Sequence, residues 1–522
     1  MPAVTRTQQQ QTPARFRARS APLAGWSPPA GGLAVRFKHP RGEPAAARCL
    51  RWAAAGAVLA ALAMLGGCAS FSTDGGFATV EQAAQSRLGK DVRWARTDDD
   101  RAVVDQRVAT LLAQPLTADG AVQLALLNNR GLQAAFFELG IREADLVQAG
   151  TVPNPGFSFS RLTRGDELEL ERGLHFNLAR LLAMPMLQDI AAKRFAQAQG
   201  AAALAVLSLA ADTRKAWLLA VAADESHHYS QQVTQAAEAG AELARRMAQV
   251  GNFSKLQQAR EQAFYADAAL NLARAAQAQR ATRERLTRLL GLWGSQTGFE
   301  LPPRLPDLPT APLDLPDIER TALAQRLDVQ GARLATEQTA KALGLSQATR
   351  FVNVLELGYL DKRSHVEPTQ RGWEIGFELP LFDWGTSRTA RAESVYLQAV
   401  ERAAQTAIDA RSEVRESYSA YRSAWDIARH QRDQIVPLRQ RIAEENLLRY
   451  NGMLIGVFEL LADARLQITS VNGAIDALRD FWLAQTDLDL AMVGKPGLAA
   501  ANALSAQSGS AAGPADPGGA GH

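Results

Sequence analysis

Cysteine, histidine and paired carboxylates are the side chains of this 522-residue sequence that could react or bind, and few stand where chemistry would need them. Two cysteines, Cys49 and Cys68, are too few for a disulfide framework or a four-ligand zinc site. His227-His228 is the only histidine pair. Adjacent positions on a helix do not face one another, so the pair reads as surface, not as a metal site. The sequence has no Gly-rich phosphate loop, no G-x-S-x-G elbow and no H-E-x-x-H helix, so no enzyme, cofactor or metal is expected. Cys68 is different. Arg48 and Arg51 precede a 13-residue apolar run, Ala53 to Leu65, and Leu65-Gly66-Gly67-Cys68 follows. A positive n-region, a short apolar h-region and small residues before a cut site describe an export signal. A cysteine directly after the small pair matches a bacterial lipobox, where cleavage before Cys68 leaves its thiol and amine to carry acyl chains such as palmitate. Each buried methylene contributes about 0.8 kcal/mol, so several chains anchor durably. A plain secretory signal with an incidental cysteine is the alternative.

The leader also distorts the charge balance. Residues 1–67 hold nine Lys+Arg and one glutamate, which leaves 48 basic against 53 acidic residues beyond them. The exported part is therefore mildly acidic, and nothing in it suggests nucleic-acid binding. No apolar stretch of about 20 residues occurs after the first 70 positions, which argues against a helical inner-membrane protein. Residues 1–47 are Pro-, Arg- and Gln-rich without periodicity and are read as a disordered or mis-annotated extension, 48–67 as the signal, and 68–115 as a lipid-anchored, polar, irregular extension.

From Leu116 onward Ala, Leu, Gln, Arg and Glu dominate, and long helices are predicted over 186–250, 253–290, 387–449 and 458–492. A 65-residue helix is roughly 98 Å long at 1.5 Å per residue, so such helices must pack along one another as antiparallel hairpins. The two halves of the chain repeat. Gly251-x-Phe253-x-x-Leu256-x-x-Ala259-Arg260-x-Gln262 matches Gly456-x-Phe458-x-x-Leu461-x-x-Ala464-Arg465-x-Gln467. Each glycine is expected to take a positive φ where one helix reverses into the next. Repeats are drawn at 116–297 and 317–494, joined by a Pro-rich linker at 298–316 and followed by a disordered tail at 495–522.

Between the short and long helices of each half lie segments of period two. Leu168 to Leu178 alternates with apolar even positions, Arg172 excepted, and Trp373 to Leu379 alternates likewise. Period two means two opposed faces. One is apolar; the other carries Glu169 and Glu171 in the first segment and Glu374 and Glu378 in the second. In a soluble sheet the apolar face would cover a core; in an outer-membrane barrel it would face lipid, with the carboxylates lining a wet lumen. Partner strands are predicted at 157–162 and 351–359. Four strands per chain cannot close a barrel, for which about eight are the practical minimum.

Signal, repeat, hairpins and alternating strands together resemble the TolC family of outer-membrane efflux channels over residues 116–494. Local marks are Leu116-Thr117, Leu126-Leu127-Asn128-Asn129, Val152-Pro153-Asn154-Pro155, Leu379-Pro380-Leu381-Phe382-Asp383-Trp384-Gly385 and the two Gly-x-Phe reversals. The resemblance implies a mainly α fold with a membrane β-barrel: a homotrimer with twelve strands and a periplasmic tunnel of helical hairpins. It implies a passive exit duct for cargo delivered by an inner-membrane pump through a periplasmic adaptor. The hairpin tips Gly251, Phe253, Leu256 and Gly456, Phe458, Leu461 would meet the adaptor. Glu459 and Asp463, four apart on one helix face, and Tyr450 would form the gate, although the family's usual pair is two aspartates three apart. The rival reading is a periplasmic coiled-coil adaptor or structural lipoprotein without a pore.

Overall fold

The computed structural model describes residues 70–495, except 352–353 and the side chain of Phe458. The signal, Cys68 and the tail lie outside the described residues. The segment expected to be irregular is helical instead: α1 spans Ala78–Leu88 and α2 spans Asp98–Leu112. Their buried positions are few and spaced four apart, Val80 with Ala84 and Val104 with Val108. Polar composition hid that spacing. Thr97 starts α2 in a capping box with Asp100. The Arg93 guanidinium, and then the Thr97 hydroxyl, hold the Asp100 carboxyl at about 2.

The same order of elements then occurs twice. The first half runs α3 (Ala118–Asn128), α4 (Arg130–Ala149), β1 (Gly156–Arg164), β2 (Glu167–Asn177), α5 (Leu178–Gln249) and α6 (Lys255–Leu290). The second runs α7 (Ile318–Gln325), α8 (Leu327–Ala348), β3 (Leu355–Ser364), β4 (Gln370–Phe377), α9 (Thr386–His430), α10 (Val436–Asn451) and α11 (Val457–Ala491). Asparagines make the joints of the first half. Asn129 caps α4 through Leu132 N–H, while Asn128 Nδ2 donates to the Leu290 and Gly291 carbonyls at the end of α6. Gly291 is required there: its φ is +68°, and a Cβ would stand 2.8 Å from the Asn128 carbonyl oxygen.

Two boundaries differ from the expectation. Helix α5 starts at Leu178, directly after β2, and continues through Pro185 to reach 72 residues, roughly 108 Å. Asn177 supplies its cap by accepting from Arg180 N–H, so the proline falls in the third turn and does not start the helix. Between α9 and α10 a π-helical turn, Gln431–Ile435, carries the chain to Pro437 without a break. The extra residue in that turn absorbs the hydrogen bond that the proline cannot make.

The core lies where α3, α5 and α6 meet: Leu124, Leu127, Trp217, Val221, Leu286 and Leu290 are buried together, and Trp217 Nε1 donates to the Leu116 carbonyl at 2.7 Å. The Pro-rich segment at 298–316 holds no helix or strand, and it is docked. Prolines leave carbonyls without neighbouring N–H donors, and indoles supply them: Trp482 Nε1 reaches Pro306 O at 3.0 Å, and Trp425 Nε1 reaches Pro309 O at 3.1 Å. Charges tie the halves together. Lys215 on α5 pairs with Asp487 on α11, both largely buried; desolvation pushes the Asp487 carboxyl up and the lysine opposes it. Arg326, between α7 and α8, is 1% exposed. It donates to Asp328, to Glu413 on α9 and to the Ala491 carbonyl at the end of α11.

Candidate functional site

The four strands form one antiparallel sheet in the order β1-β2-β3-β4, which leaves β1 and β4 as edges within the chain. Register sorts its residues into two faces, because residues directly opposite one another project to the same side. Phe157, Leu174, Tyr359 and Trp373 form one row, with Phe176, Leu357 and Ile375 in the next and Leu355 with Phe377 beyond. This face is apolar and bare: Phe157 is 68% exposed and Trp373 74%. In water that exposure would be a strong liability, and two open edges would add to it. The segment after β4 continues the pattern with exposed Leu379, Leu381, Phe382 and Trp384.

Glu169, Glu171 and Glu374 share the opposite face, as the alternation predicts. Glu378 follows β4 and is exposed, beyond the paired strands. Sequence reasoning missed three residues of this face. Lys362 forms an ion pair with Glu169 and cancels part of its charge, whereas Glu171 and Glu374 carry no ion pair among the described residues. Glu356 is exposed opposite Gly376. His175 lies 3.0 Å through Nε2 from Ser158 Oγ and fills the space over Gly173 and Gly358, where added Cβ atoms would stand 2.8 and 3.1 Å from its ring. Lys362 was hidden because β3 runs on to Ser364, five residues past the predicted end, whereas Glu356 lay inside the predicted strand but in a stretch without clean alternation. Pairing with β2 overrides the poor strand propensity of Asp361-Lys362-Arg363.

At the far ends of the hairpins, the first tip behaves as the motif suggests. Gly251 takes φ +81°, and Asn252 N–H returns to the Met247 carbonyl at 2.8 Å. Leu256 is exposed in the first turn of α6, and Phe253 stands in the turn between the helices. The second tip corrects the expectation. Gly456 has φ −81° in extended backbone and caps α11, while Met453, 92% exposed, holds the left-handed position at φ 59°. The matched motif therefore sits three residues later relative to the turn in the second half, so Phe458 and Leu461 are already in α11. Gly251→Ala is expected to cost about 1–2 kcal/mol, from the left-handed strain on a Cβ, and Gly456→Ala less, about 0.5 kcal/mol for the poorer N-cap. Comparing denaturation midpoints of the two variants tests this.

Of the gate candidates, Glu459 is exposed in the first turn of α11, where its charge suits the helix N-terminus. Asp463 accepts from Asn446 on α10 and so is held inside its own hairpin. Tyr450 is partly exposed at the end of α10. A contact between the hairpins lies further along: Arg465 of α11 forms an ion pair at 2.7 Å with Glu261 of α6, which is 2% exposed, and its guanidinium lies 4.4 Å from the Phe264 ring. Gly240 on α5 faces both Glu261 and Leu461, so three helices from two hairpins converge there. The only signal for this pair was the repeated Ala-Arg-x-Gln, whose function the motif does not reveal. His227 and His228 sit on α5, and no group of three potential metal-ligating residues occurs among the described residues. No helix there is long and apolar enough to cross a membrane.

No family model and no curated protein matches the sequence. Solved structures do match in fold. The Campylobacter jejuni CmeC outer membrane channel is 17% identical at a TM-score of 0.61, over 82% of this chain and 95% of that one. The open-state Neisseria gonorrhoeae MtrE outer membrane channel is 18% identical at 0.60, over 74% and 89%. Vibrio cholerae VceC, an outer membrane protein, is 15% identical at 0.59, over 77% and 98%. At these identities the likeness is one of architecture, and it spans nearly the whole of each neighbour: the chain has the fold of the outer-membrane channels.

Proposed function

We propose that this protein is a TolC-family outer-membrane channel, the passive exit duct of a tripartite efflux or secretion system. One observation carries the reading: an open four-stranded sheet, apolar on one face and acidic on the other, stands at the ends of two long helical hairpins. Three copies supply twelve strands, close the edges and turn the greasy face to acyl chains, which resolves both liabilities at once. Glu171, Glu374, Glu356 and, less effectively, the Lys362-paired Glu169 then line a cation-attracting lumen. Energy comes from an inner-membrane pump, reached through an adaptor that meets the tips around Phe253, Leu256, Phe458 and Leu461. Acylation of Cys68 agrees with the position of Ser72, whose N–H donates to Glu143 at 2.6 Å in a cavity also lined by Ser70 and Pro185. Pro185 is eight residues beyond β2, so the cavity that Ser70 and Ser72 line lies roughly 12 Å along α5 from the end of the sheet.

The test is reconstitution of the full chain in planar bilayers. Discrete, cation-preferring conductance from a trimeric species is expected; a detergent-solubilised monomer without conductance would reject the channel and favour the coiled-coil lipoprotein. The Arg465–Glu261 pair holds the tips closed in this reading. Glu261→Gln removes about 1.4 kcal/mol from that state, raising open probability roughly tenfold in single-channel records. Unchanged gating would remove the pair from the latch. Glu459→Ala with Asp463→Ala is expected to lower cation preference, and unaltered selectivity would eliminate them as gate carboxylates.

A further inference from the structure

The apolar face of the sheet is not apolar to its end. Toward the hairpin turns, Arg172, Asp361 and Arg371 form one row across three strands, and Arg161, Leu170 and Arg363 form the next. All four arginines are exposed. Asp361 is the only acidic residue in either row, and it pairs with Arg363 at 2.8 Å and Arg371 at 3.0 Å. Asp361 stands opposite Arg172 but is engaged by Arg363 and Arg371, and Arg161 and Arg172 form no ion pair among the described residues, so each chain presents an excess of positive charge directly above the band that begins at Phe157 and Trp373. Charge on a lipid-contacting face is costly in mid-membrane and tolerable only near its surface. Because the helices leave from the opposite end of every strand, the surface in question is the one remote from the helical tunnel.

We infer that this arginine belt binds the phosphate groups of anionic lipids in the outer leaflet. The inference rests on the channel reading above and adds a ligand to it. Three features of the belt favour a lipid over a free anion. Guanidiniums suit phosphate oxygens through paired N–H donors. Arg172 and Arg371, and likewise Arg161 and Arg363, are two strand spacings apart, roughly 10 Å, which is headgroup scale. The bare aromatic band immediately beneath gives the acyl chains of the same molecule a place to lie. The aliphatic stems cross the apolar margin and bring the charged ends to headgroup level.

Trp373, one row from Arg371, is the reporter. The full-length protein is reconstituted in vesicles containing either brominated phosphatidic acid or brominated phosphatidylcholine at equal mole fraction, and Trp373 quenching is read as the difference from Trp373→Phe. The expected result is preferential quenching by the phosphatidic acid, about fivefold per engaged arginine, the equivalent of ~1 kcal/mol. The preference should vanish in the combined R161Q/R172Q/R363Q/R371Q variant, fall but remain when the same four become lysine, and rise in Asp361→Asn. Equal quenching by both lipids would overturn the belt and leave the channel reading intact. Abolition of the preference by excess inorganic phosphate would show an ion site in place of a lipid site. Absence of quenching by either lipid would overturn the lipid-facing assignment itself, and the belt with it.

Discussion

Ile375→Arg is expected to prevent assembly of the membrane sheet, whereas Glu374→Arg, one residue away, should leave it assembled. Ile375 lies in the middle row of the apolar face, between Leu355–Phe377 and Tyr359–Trp373. An arginine at mid-membrane on a lipid face costs about 2–4 kcal/mol per copy, and a trimer would carry three. That total is comparable to the whole stability of an ordinary domain. Glu374 faces the other way, beside Gly358, where a longer cationic side chain meets water. Glu374→Arg should therefore yield normal amounts of heat-resistant trimer with reduced cation preference. Membrane fractionation and unboiled gel electrophoresis of the two variants read the outcome. Equal loss, or equal survival, would mean that the faces have been assigned wrongly.

The second large effect belongs to Arg326. Its guanidinium is buried and bridges Asp328, Glu413 and the Ala491 carbonyl, so one side chain joins the start of the second half to α9 and to the end of α11. Truncation to alanine leaves two carboxylates without their cation. Fully buried partners of that kind cost 3–5 kcal/mol. Asp328 and Glu413 are about one-fifth exposed, so water recovers part of the loss, and about 3 kcal/mol is expected for Arg326→Ala. Arg326→Lys should fall between, since an ammonium cannot make the paired geometry with Asp328. Chemical denaturation of the detergent-solubilised protein measures this, and a cost under 1 kcal/mol would show that the bridge is incidental. The arrangement was not visible beforehand because an arginine between two short helices has no periodic signature.

How much could be read in advance depends on the range of the force involved. Period-two alternation from Leu168 to Leu178 is a local property, since successive side chains must oppose one another in a strand; it placed Glu169 and Glu171 on one face before any partner was known. Helical runs near 186–250 and 387–449 were legible for the same reason, through residue composition along a continuous stretch. Ends were harder. The start of α5 depended on the Asn177 cap, and the second reversal depended on Met453 taking a backbone conformation that the glycine motif pointed to elsewhere.

What only tertiary structure decided are the relations between distant segments. Asp361-Lys362-Arg363 does not look like strand, yet pairing with β2 draws it into the sheet, puts Lys362 against Glu169 and aligns four arginines on the far margin of the apolar face. Likewise Glu261 and Arg465 are ordinary helical charges until two hairpins pack. Local sequence sets which way each side chain points; register and helix packing, stabilised by hydrogen bonds and burial between residues hundreds of positions apart, set what it points at.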